Sequence, residues 1–387
     1  MHPSPLIPAT PRALGGDTAP GHFSPSHPVT RRQSLKTLSL VAASLALPRL
    51  ARAEKPEDTT AMPESAWSRI AGFNYQPSYG STGLELWQKF DARTIALELA
   101  RGKKYFPRMN ALRWWQSWSA FNRDPQGYAH NFSTTLELAA EIGCKVMPVL
   151  FNRWHDPVLD YGGIYIDHFF PGDRFGWVRK PEMFDNFMEA IVGGHARDER
   201  ILAWDLCNEP FAYIQRPAEI PEIVNAEFAW LKALHGRCKQ LGAIAPVTVG
   251  IHPDHGLAGI EQIEPISDVL SIHPYWIPQP DKPDGGKADY EKRLDVYVGF
   301  ARQVAKPLLC SETCWGERDD AKRTEIVRYT LTQLRKRKIG KLVYLLHHSL
   351  IADAHRAEFG HVGFPGNLSF IEADGSLRPG HEIFNEF

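Results

Sequence analysis

Short apolar runs alternate with amphipathic stretches along the chain from about residue 70 onward. Each run is short and apolar throughout, as a strand buried in a parallel sheet is. Eight runs are predicted to be strands, at residues 70–75, 111–115, 145–151, 201–206, 247–250, 269–272, 307–311 and 341–346. Pro148 is awkward in the third run, because proline cannot donate a hydrogen bond to a neighbouring strand.

The stretches between these runs carry helical signals. Five apolar residues recur at helical spacing between Pro181 and Gly193, and they predict one buried helix face: Phe184, Phe187, Met188, Ile191 and Val192. Thr134 and Glu137 have the spacing of a capping box, so a helix is predicted to begin there and to stop at Gly143. A helix at 325–334 is followed by four basic residues, which suit the negative end of its dipole.

Eight strands that alternate with helices predict a parallel sheet. The economical architecture for this spacing is a (β/α)8 TIM barrel, an α/β fold, over residues 54–387 as a single catalytic domain. A doubly wound open sheet is the alternative, but no glycine-rich phosphate loop follows an early strand. The sequence shows no internal repeat and no interdomain linker.

Composition and charge exclude some functions. The chain has 387 residues, a formal net charge of −1 and a pI near 7.0. Such a balance argues against nucleic acid or an anionic membrane surface as the main partner. Five cysteines without tight spacing imply no disulfide framework. The chain is rich in aromatic residues, with 11 Trp, 12 Tyr and 20 Phe; much of this content is expected in the core, and some is expected to form a platform on which sugar rings stack.

Residues 1–53 are predicted to be an export segment. Residues 1–29 have the composition of a disordered tail. A basic segment with Arg31 and Arg32, an apolar stretch at 37–47 and the small-residue site 51–53 follow in the order of a secretory signal. The paired arginines indicate the twin-arginine route, so we expect a periplasmic or secreted protein without a membrane anchor after cleavage. The alternative is a chance basic and apolar run within a disordered tail.

Two glutamates end apolar runs about a hundred residues apart: Glu209 follows the fourth predicted strand and Glu312 the seventh. Strand ends meet at one rim of a barrel, so the two carboxylates are expected to face each other there. A separation of about 5–5.5 Å would support a retaining double displacement, and a wider gap would admit water and invert. Either glutamate alone could instead be an acid at a helix N-terminus.

The two carboxylates need different protonation states in that chemistry. Glu209 is the expected general acid/base, with its neutral form favoured by burial and by the negative charge of Glu312. Glu312 is the expected nucleophile, and it needs a cation and hydrogen-bond donors nearby to stay ionised.

The segment from Trp204 to Asn208-Glu209-Pro210 resembles the acid/base motif of clan A glycoside hydrolases, closest to glycoside hydrolase family 5 and its cellulase-like relatives. The resemblance spans roughly residues 70 to 350. It implies four further site residues: Arg113 beside the nucleophile, Asn208 on the sugar 2-hydroxyl, and the pair His273 and Tyr275. The structural alternatives are a surface arginine for Arg113, a core histidine for His273 and rim packing for Tyr275 and Trp276.

One departure from the family concerns strand 8. The family's tryptophan that floors the −1 subsite is missing there, and His347 or His348 is expected to take its place. Trp276, Trp315 and Trp154 are further candidates for contact with sugar. Trp154 lies in a long polar and aromatic segment, 152–180, which is expected to shape the cleft.

The sequence therefore predicts a retaining O-glycosyl hydrolase, cellulase- or mannanase-like, acting on β-linked oligo- or polysaccharide, with no cofactor and no metal. Two alternatives stay open. A non-catalytic sugar-binding barrel would keep the aromatic cleft and lose a carboxylate. A metal-dependent hydrolase would use the loose histidine group of His347, His348, His355 and His361, which lacks a recognised ligand spacing.

Overall fold

Eight parallel strands pair in chain order and close into a barrel. They are β1 (Ala71–Tyr75), β2 (Ala111–Trp115), β3 (Lys145–Asn152), β4 (Trp204–Asn208), β5 (Val247–Ile251), β6 (Leu270–Ile272), β7 (Leu308–Cys310) and β8 (Gly340–Val343). The pairing of β8 with β1 completes the ring, with Gly72 opposite Leu342. The predicted (β/α)8 barrel is confirmed, and the open-sheet alternative is wrong.

The computed structural model describes residues 60–153, 164, 169, 180–211, 221–353 and 367–387. The predicted signal at 1–53, together with Trp154, His355 and His361, lies outside these residues. The export prediction therefore stays a prediction. In the described part of the chain, no helix has both the length and the apolar character that a membrane span requires.

Helices surround the barrel between the strands. They are α1 (Gly83–Gln88), α2 (Ala92–Tyr105), α3 (Trp118–Phe121), α4 (Pro125–Glu141), α5 (Asp185–Met188), α6 (Pro221–Gln240), α7 (Gly256–Ile263), α8 (Lys287–Gln303), α9 (Asp320–Lys336) and α10 (Leu350–Asp353). Helix α9 ends in Arg335 and Lys336, as the basic run predicted. All five cysteines are free and buried, which agrees with the absence of a disulfide framework.

Two helix predictions need correction. The capping box at Thr134 is wrong, because α4 begins a full two turns earlier, where the Asp124 side chain accepts from the Gly127 amide and Pro125 occupies the first turn. The segment from Pro181 to Gly193 is not one α-helix. It divides into a 3-10 turn, the short helix α5 and a π-turn at Glu189–Gly193. Its predicted apolar face is nevertheless fully buried.

The strand ends set the position of the site. Strand β4 begins and ends later than predicted, and Ile201 forms only an isolated bridge to Val146. Asn208 is consequently the last residue of β4, and Glu209 is the first residue beyond it. Strands β7 and β8 are shorter than predicted and end at Cys310 and Val343. Residues 311–316 and 344–349 therefore belong to the mouth of the barrel rather than to its wall.

Candidate active site

The two predicted carboxylates converge at the mouth of the barrel. A carboxylate oxygen of Glu209 lies within 4.8 Å of one of Glu312. Both residues are buried, at 7% and 9% exposure. Glu209 has a φ of 46°, and its amide donates to the Gly250 carbonyl on β5 at 2.9 Å. A left-handed conformation at a non-glycine residue costs about 1–3 kcal/mol, so the fold holds this carboxylate in place against backbone strain.

Arg113, at the centre of β2, links the two halves of the site. Its Nη1 donates to Glu312 Oε2 at 2.9 Å and to Asn74 Oδ1 at 3.0 Å. Its Nε and Nη2 both donate to Asp205 Oδ2, at 3.0 and 2.8 Å. Burial lowers the pKa of Arg113, but the negative charges of Asp205 and Glu312 raise it by more, so the pKa lies above its usual value. A fully buried guanidinium is stable here because two carboxylates compensate its charge.

Glu312 has a strong donor on each oxygen. While Arg113 binds Oε2, the hydroxyl of Tyr275 donates to Oε1 at 2.7 Å. Burial, and then the charge of Glu312, raise the pKa of Tyr275 well above its usual value, so this hydroxyl keeps its proton. Two such donors stabilise the ionised form of Glu312, as its expected role as nucleophile requires.

Glu209 is hydrogen-bonded to a histidine, whereas Glu312 is hydrogen-bonded to an arginine. His273 Nδ1 lies 2.7 Å from Glu209 Oε1, and His273 Nε2 lies 3.0 Å from Ser311 Oγ. Burial lowers the pKa of His273 to about 3, so the ring is neutral near neutral pH. Gly250 is required beside it, because a Cβ there would stand 2.7 Å from His273 Nε2. His273 is thus both a satisfied core histidine and a residue of the site.

Asn208 is held in one orientation by two partners. Its Oδ1 accepts from Arg113 Nη2 at 2.8 Å, and its Nδ2 donates to Asn152 Oδ1 on β3 at 3.0 Å. The first bond fixes which end of the amide is oxygen, because a guanidinium can only donate. The structure therefore brings Arg113, Asn208, His273 and Tyr275 together around the carboxylate pair.

The predicted tryptophans differ in their placement. Trp315 is half-buried and lies edge-on to Tyr275, with ring centroids 5.6 Å apart, so it borders the site. Trp276 is buried, packs against Tyr329 at 4.4 Å and donates its indole N–H to the Gly285 carbonyl. It has little surface to offer a sugar, and these contacts fit the packing alternative.

The structure does not bring His347 to the carboxylates. Its ring is 2% exposed, Nε2 accepts from Arg101 Nη1 at 2.9 Å, and Nδ1 lies 3.0 Å from the His348 carbonyl. Burial lowers its pKa to about 4. Both ring nitrogens of His347 thus have protein partners, and its buried ring does not favour the expected sugar contact, which stays a prediction.

Tyr344, which immediately follows β8, is a further aromatic residue close enough to interact with the charges of the pair. Its ring lies edge-on to Trp115 with centroids 5.9 Å apart, and its hydroxyl donates to Gln76 Oε1 at 3.1 Å. Burial and then the charge of Glu312 raise its pKa. Tyr344 was not predicted as a site residue, because the apolar run places it inside the eighth strand. The buried polar residues Asn74, Asp205, Ser271 and Ser311 were missed too, since single polar residues in apolar runs give no periodic signal.

Among the described residues, Glu209, His273 and Glu312 are the group whose chemistry comes nearest to a metal site. Their ligand atoms already have other partners. Both nitrogens of His273 are hydrogen-bonded, and Glu312 is bonded to a guanidinium and a phenol. A cation here would also meet the positive charge of Arg113. These contacts fit acid–base chemistry better than metal coordination.

No protein-family model matches the chain, and no curated protein matches it in sequence. Solved structures do. An exo-β-1,4-mannosidase from Opitutaceae bacterium strain TAV5 is similar at 18% identity and a TM-score of 0.61, over 82% of this chain and 58% of that one. The chain thus spans less than two thirds of that protein.

Two further structures are similar. A GH5_18 protein from Streptomyces cattleya, in complex with Manβ1-4GlcNAc, has 14% identity and a TM-score of 0.64, over 82% of this chain and 79% of that one. A β-glucuronidase from Ruminococcus gnavus has 11% identity and a TM-score of 0.59, over 82% and 50%. The first and last of these are glycosidases by name, and at these identities the likeness establishes the fold.

Proposed function

We propose that the protein is a retaining glycoside hydrolase that cleaves β-linked O-glycosidic bonds by double displacement. One observation carries the proposal: two buried carboxylates lie within 4.8 Å of each other at the mouth of a barrel, in opposite hydrogen-bonding environments. Separations of about 5–5.5 Å belong to retaining enzymes, whereas inverting enzymes need roughly 6.5–9.5 Å to admit a water. The short separation supports the retaining course.

The two hydrogen-bonding environments support different roles for the two carboxylates. Glu312, which accepts hydrogen bonds from Arg113 and Tyr275, attacks the anomeric carbon, and Glu209 donates its proton to the leaving oxygen. The resulting glycosyl-enzyme is hydrolysed when Glu209, now a base, takes a proton from water. Asn208 is placed to bind the sugar 2-hydroxyl with its Nδ2 group, next to Glu209 in sequence and beside Arg113 in space.

Substrate class and location belong to the same proposal. Trp315 is half-buried beside Tyr275 and offers aromatic surface for sugar. Because two of the similar structures are described by mannosidase activity or a Manβ1-4GlcNAc ligand, we take β-mannosides as the first substrates to test. Export by the twin-arginine route would bring such an enzyme to extracellular glycans.

The test is hydrolysis of nitrophenyl β-glycosides and of soluble mannans, β-glucans and xylans by the wild type, Glu209→Gln and Glu312→Gln. We expect turnover of at least one β-glycoside and a loss of about 10³-fold or more in kcat in Glu312→Gln. The matched control is Glu98→Gln, which alters a buried glutamate bonded to the Tyr75 hydroxyl outside the site.

Other outcomes favour the alternatives. Sugar binding without any turnover by the wild type would support a non-catalytic binding barrel. Activity that EDTA abolishes and zinc restores would support a metal-dependent hydrolase and contradict the roles given to Glu209 and Glu312.

A further inference from the structure

A chain of hydrogen bonds runs from the carboxylate pair into the barrel interior. Behind His273, Ser311 Oγ is bonded to His273 Nε2, and the Ser271 hydroxyl is bonded to Ser311 Oγ. Both serines are fully buried, at 0% exposure, and neither has a role in the reaction proposed above. From the interior to the mouth of the barrel, the hydrogen bonds therefore connect Ser271, Ser311, His273 and Glu209 in that order.

The proton of each hydroxyl has only one favourable position. The Ser271 hydroxyl makes its single hydrogen bond, within the described residues, to Ser311 Oγ. If Ser271 accepted there, its own buried proton would have no acceptor, at a cost of about one hydrogen bond. Ser271 therefore donates to Ser311. The hydroxyl of Ser311 then donates to His273 Nε2, and this nitrogen must be unprotonated to accept the hydrogen bond.

A neutral imidazole has a proton on only one of its two ring nitrogens. An unprotonated Nε2 therefore means that Nδ1 carries the proton. The Nδ1–H group then donates to Glu209 Oε1 at 2.7 Å. With Oε1 occupied by a donor in both protonation states of Glu209, the transferable proton of this carboxyl group must sit on Oε2. Oε1 then holds the carboxyl group of Glu209 in position, and Oε2 transfers the proton.

We propose that Ser271 and Ser311 are positioning residues that fix His273 in its Nδ1–H tautomer and thereby keep the catalytic proton of Glu209 on Oε2. The proposal rests on the function proposed above, in that Glu209 is the acid/base. The neutral state of the ring is consistent with it, because burial lowers the pKa of His273 to about 3.

Other groups also act on Glu209, and they are unchanged in the variants below. Glu312 faces it from the end of β7, and the charge of Arg113 on β2 reaches it. Tyr275 after β6, Tyr344 after β8 and His255 after β5 also interact with its charge. The serine variants remove only the hydroxyls behind His273, so a change in Glu209 can be traced to the ring.

The first test is independent of turnover. Nitrogen-15 NMR of the histidine rings, with His273 identified by comparison with His273→Gln, reports which ring nitrogen carries the proton. In the wild type we expect the Nδ1–H tautomer at both pH 5 and pH 9. In Ser311→Ala we expect the Nε2–H tautomer to be populated at the acidic end, because a protonated Glu209 can then donate to Nδ1. A tautomer that changes with pH in the wild type, or one that stays Nδ1–H in Ser311→Ala, would overturn the proposal.

The second test is the pH profile of kcat/KM on the glycoside found active. Ser311→Ala weakens the donation from Nδ1 to ionised Glu209, so the protonated form is favoured. We expect the alkaline limb to move up by about half a pH unit, with the acid limb unchanged and kcat reduced several-fold at nearly constant KM. Ser271→Ala is expected to give a smaller shift in the same direction.

Ser267→Ala is the matched control, because Ser267 is also buried and its hydroxyl has no hydrogen-bond partner among the residues that the structure describes. It should leave the profile unchanged. A Ser311→Ala profile that matches this control, or one in which both limbs move together, would contradict the positioning role. Absence of turnover in the wild type would instead count against the proposed function, and the NMR result would still decide the tautomer.

Discussion

At the scale of single residues, the site is organised by the hydrogen bonds that the two carboxylate oxygens of Glu312 accept. Arg113 and Tyr275 each supply one donor, and neither is free to choose another partner. Arg113 is fixed by Asp205 and Asn208, and Tyr275 is half-buried against Trp315. The nucleophile is therefore oriented by groups that are themselves held by packing and by hydrogen bonds.

Tyr275→Phe tests this orientation. The phenyl ring keeps the contact with Trp315, and only the 2.7 Å hydrogen bond to Glu312 Oε1 is lost. A hydrogen bond to a charged group contributes about 1.5–3 kcal/mol, so we expect kcat to fall roughly 10- to 100-fold while the thermal midpoint changes little. Steady-state kinetics and a thermal melt measure both quantities. The control Tyr329→Phe removes a hydroxyl that bonds Lys287 and Glu291 outside the site. Equal losses in the two variants would argue against a specific role for Tyr275.

Residue-level prediction from the sequence worked where a motif fixed the position. Arg113 lies within β2, Asn208 ends β4, and His273 and Tyr275 follow β6, and all four contact one another or the carboxylates. No pattern in the sequence indicated the protein contacts of His347, which is hydrogen-bonded to Arg101, or of Trp276, whose ring packs on Tyr329. Side-chain direction beyond a strand end is set by tertiary packing, which a single sequence does not encode in a readable pattern.

At the scale of elements, β5 shows how closely side chains of the site approach the backbone of a neighbouring strand. Gly250 supplies the carbonyl that accepts the Glu209 amide, and its own amide lies 3.2 Å from Asp205 Oδ1. A Cβ at this position would stand 2.7 Å from His273 Nε2 and 3.3 Å from Arg113 Nη2. The strand thus needs glycine so that two side chains of the site can lie against its backbone.

Gly250→Ala is expected to displace the His273 ring and to lower kcat/KM by about tenfold or more, with a stability loss of about 1–3 kcal/mol from overpacking. The measurements are kinetics on the active glycoside and denaturant unfolding. Gly299→Ala on α8 is the control, since a Cβ there meets nothing within 4 Å. It should stabilise the protein by up to about 1 kcal/mol without affecting activity. An active Gly250→Ala enzyme would show that the close approach is not needed.

Elements were more predictable from the sequence than their ends. All eight strands were anticipated, because a strand buried on both faces is a short apolar run. Their limits moved by up to three residues, as at β4 and β8, since hydrogen bonds to neighbouring strands decide where pairing stops. The π-turn at Glu189–Gly193 had no sequence signal, because an apolar face with helical spacing is compatible with it.

At the scale of the whole molecule, buried neutral histidines make stability depend on pH. Burial lowers the pKa of His273 and His381 to about 3 and that of His347 to about 4. In the unfolded chain histidine takes up a proton near pH 6.5. Below that pH the unfolded state binds more protons than the folded state, so the free energy of unfolding falls as the pH drops from about 6.5 to 4.

His347→Gln isolates one of these contributions. Glutamine can still accept from Arg101 and donate to the His348 carbonyl, the two bonds that His347 makes. We expect the slope of unfolding free energy against pH to decrease by up to about 1.4 kcal/mol per unit between pH 6 and pH 5. Urea titrations at several pH values give this slope. A slope identical to that of the wild type would mean that His347 is protonated in the folded protein over this range.

The most direct test of the two-carboxylate account is to trap the glycosyl-enzyme. A 2-deoxy-2-fluoro β-glycoside of the sugar found active, with a good leaving group, slows the second step more than the first. Intact mass and peptide mapping should then show one sugar per chain, attached to Glu312, and no label in Glu312→Gln. A label on another residue, or a first-formed product of inverted anomeric configuration with no label at all, would contradict the account.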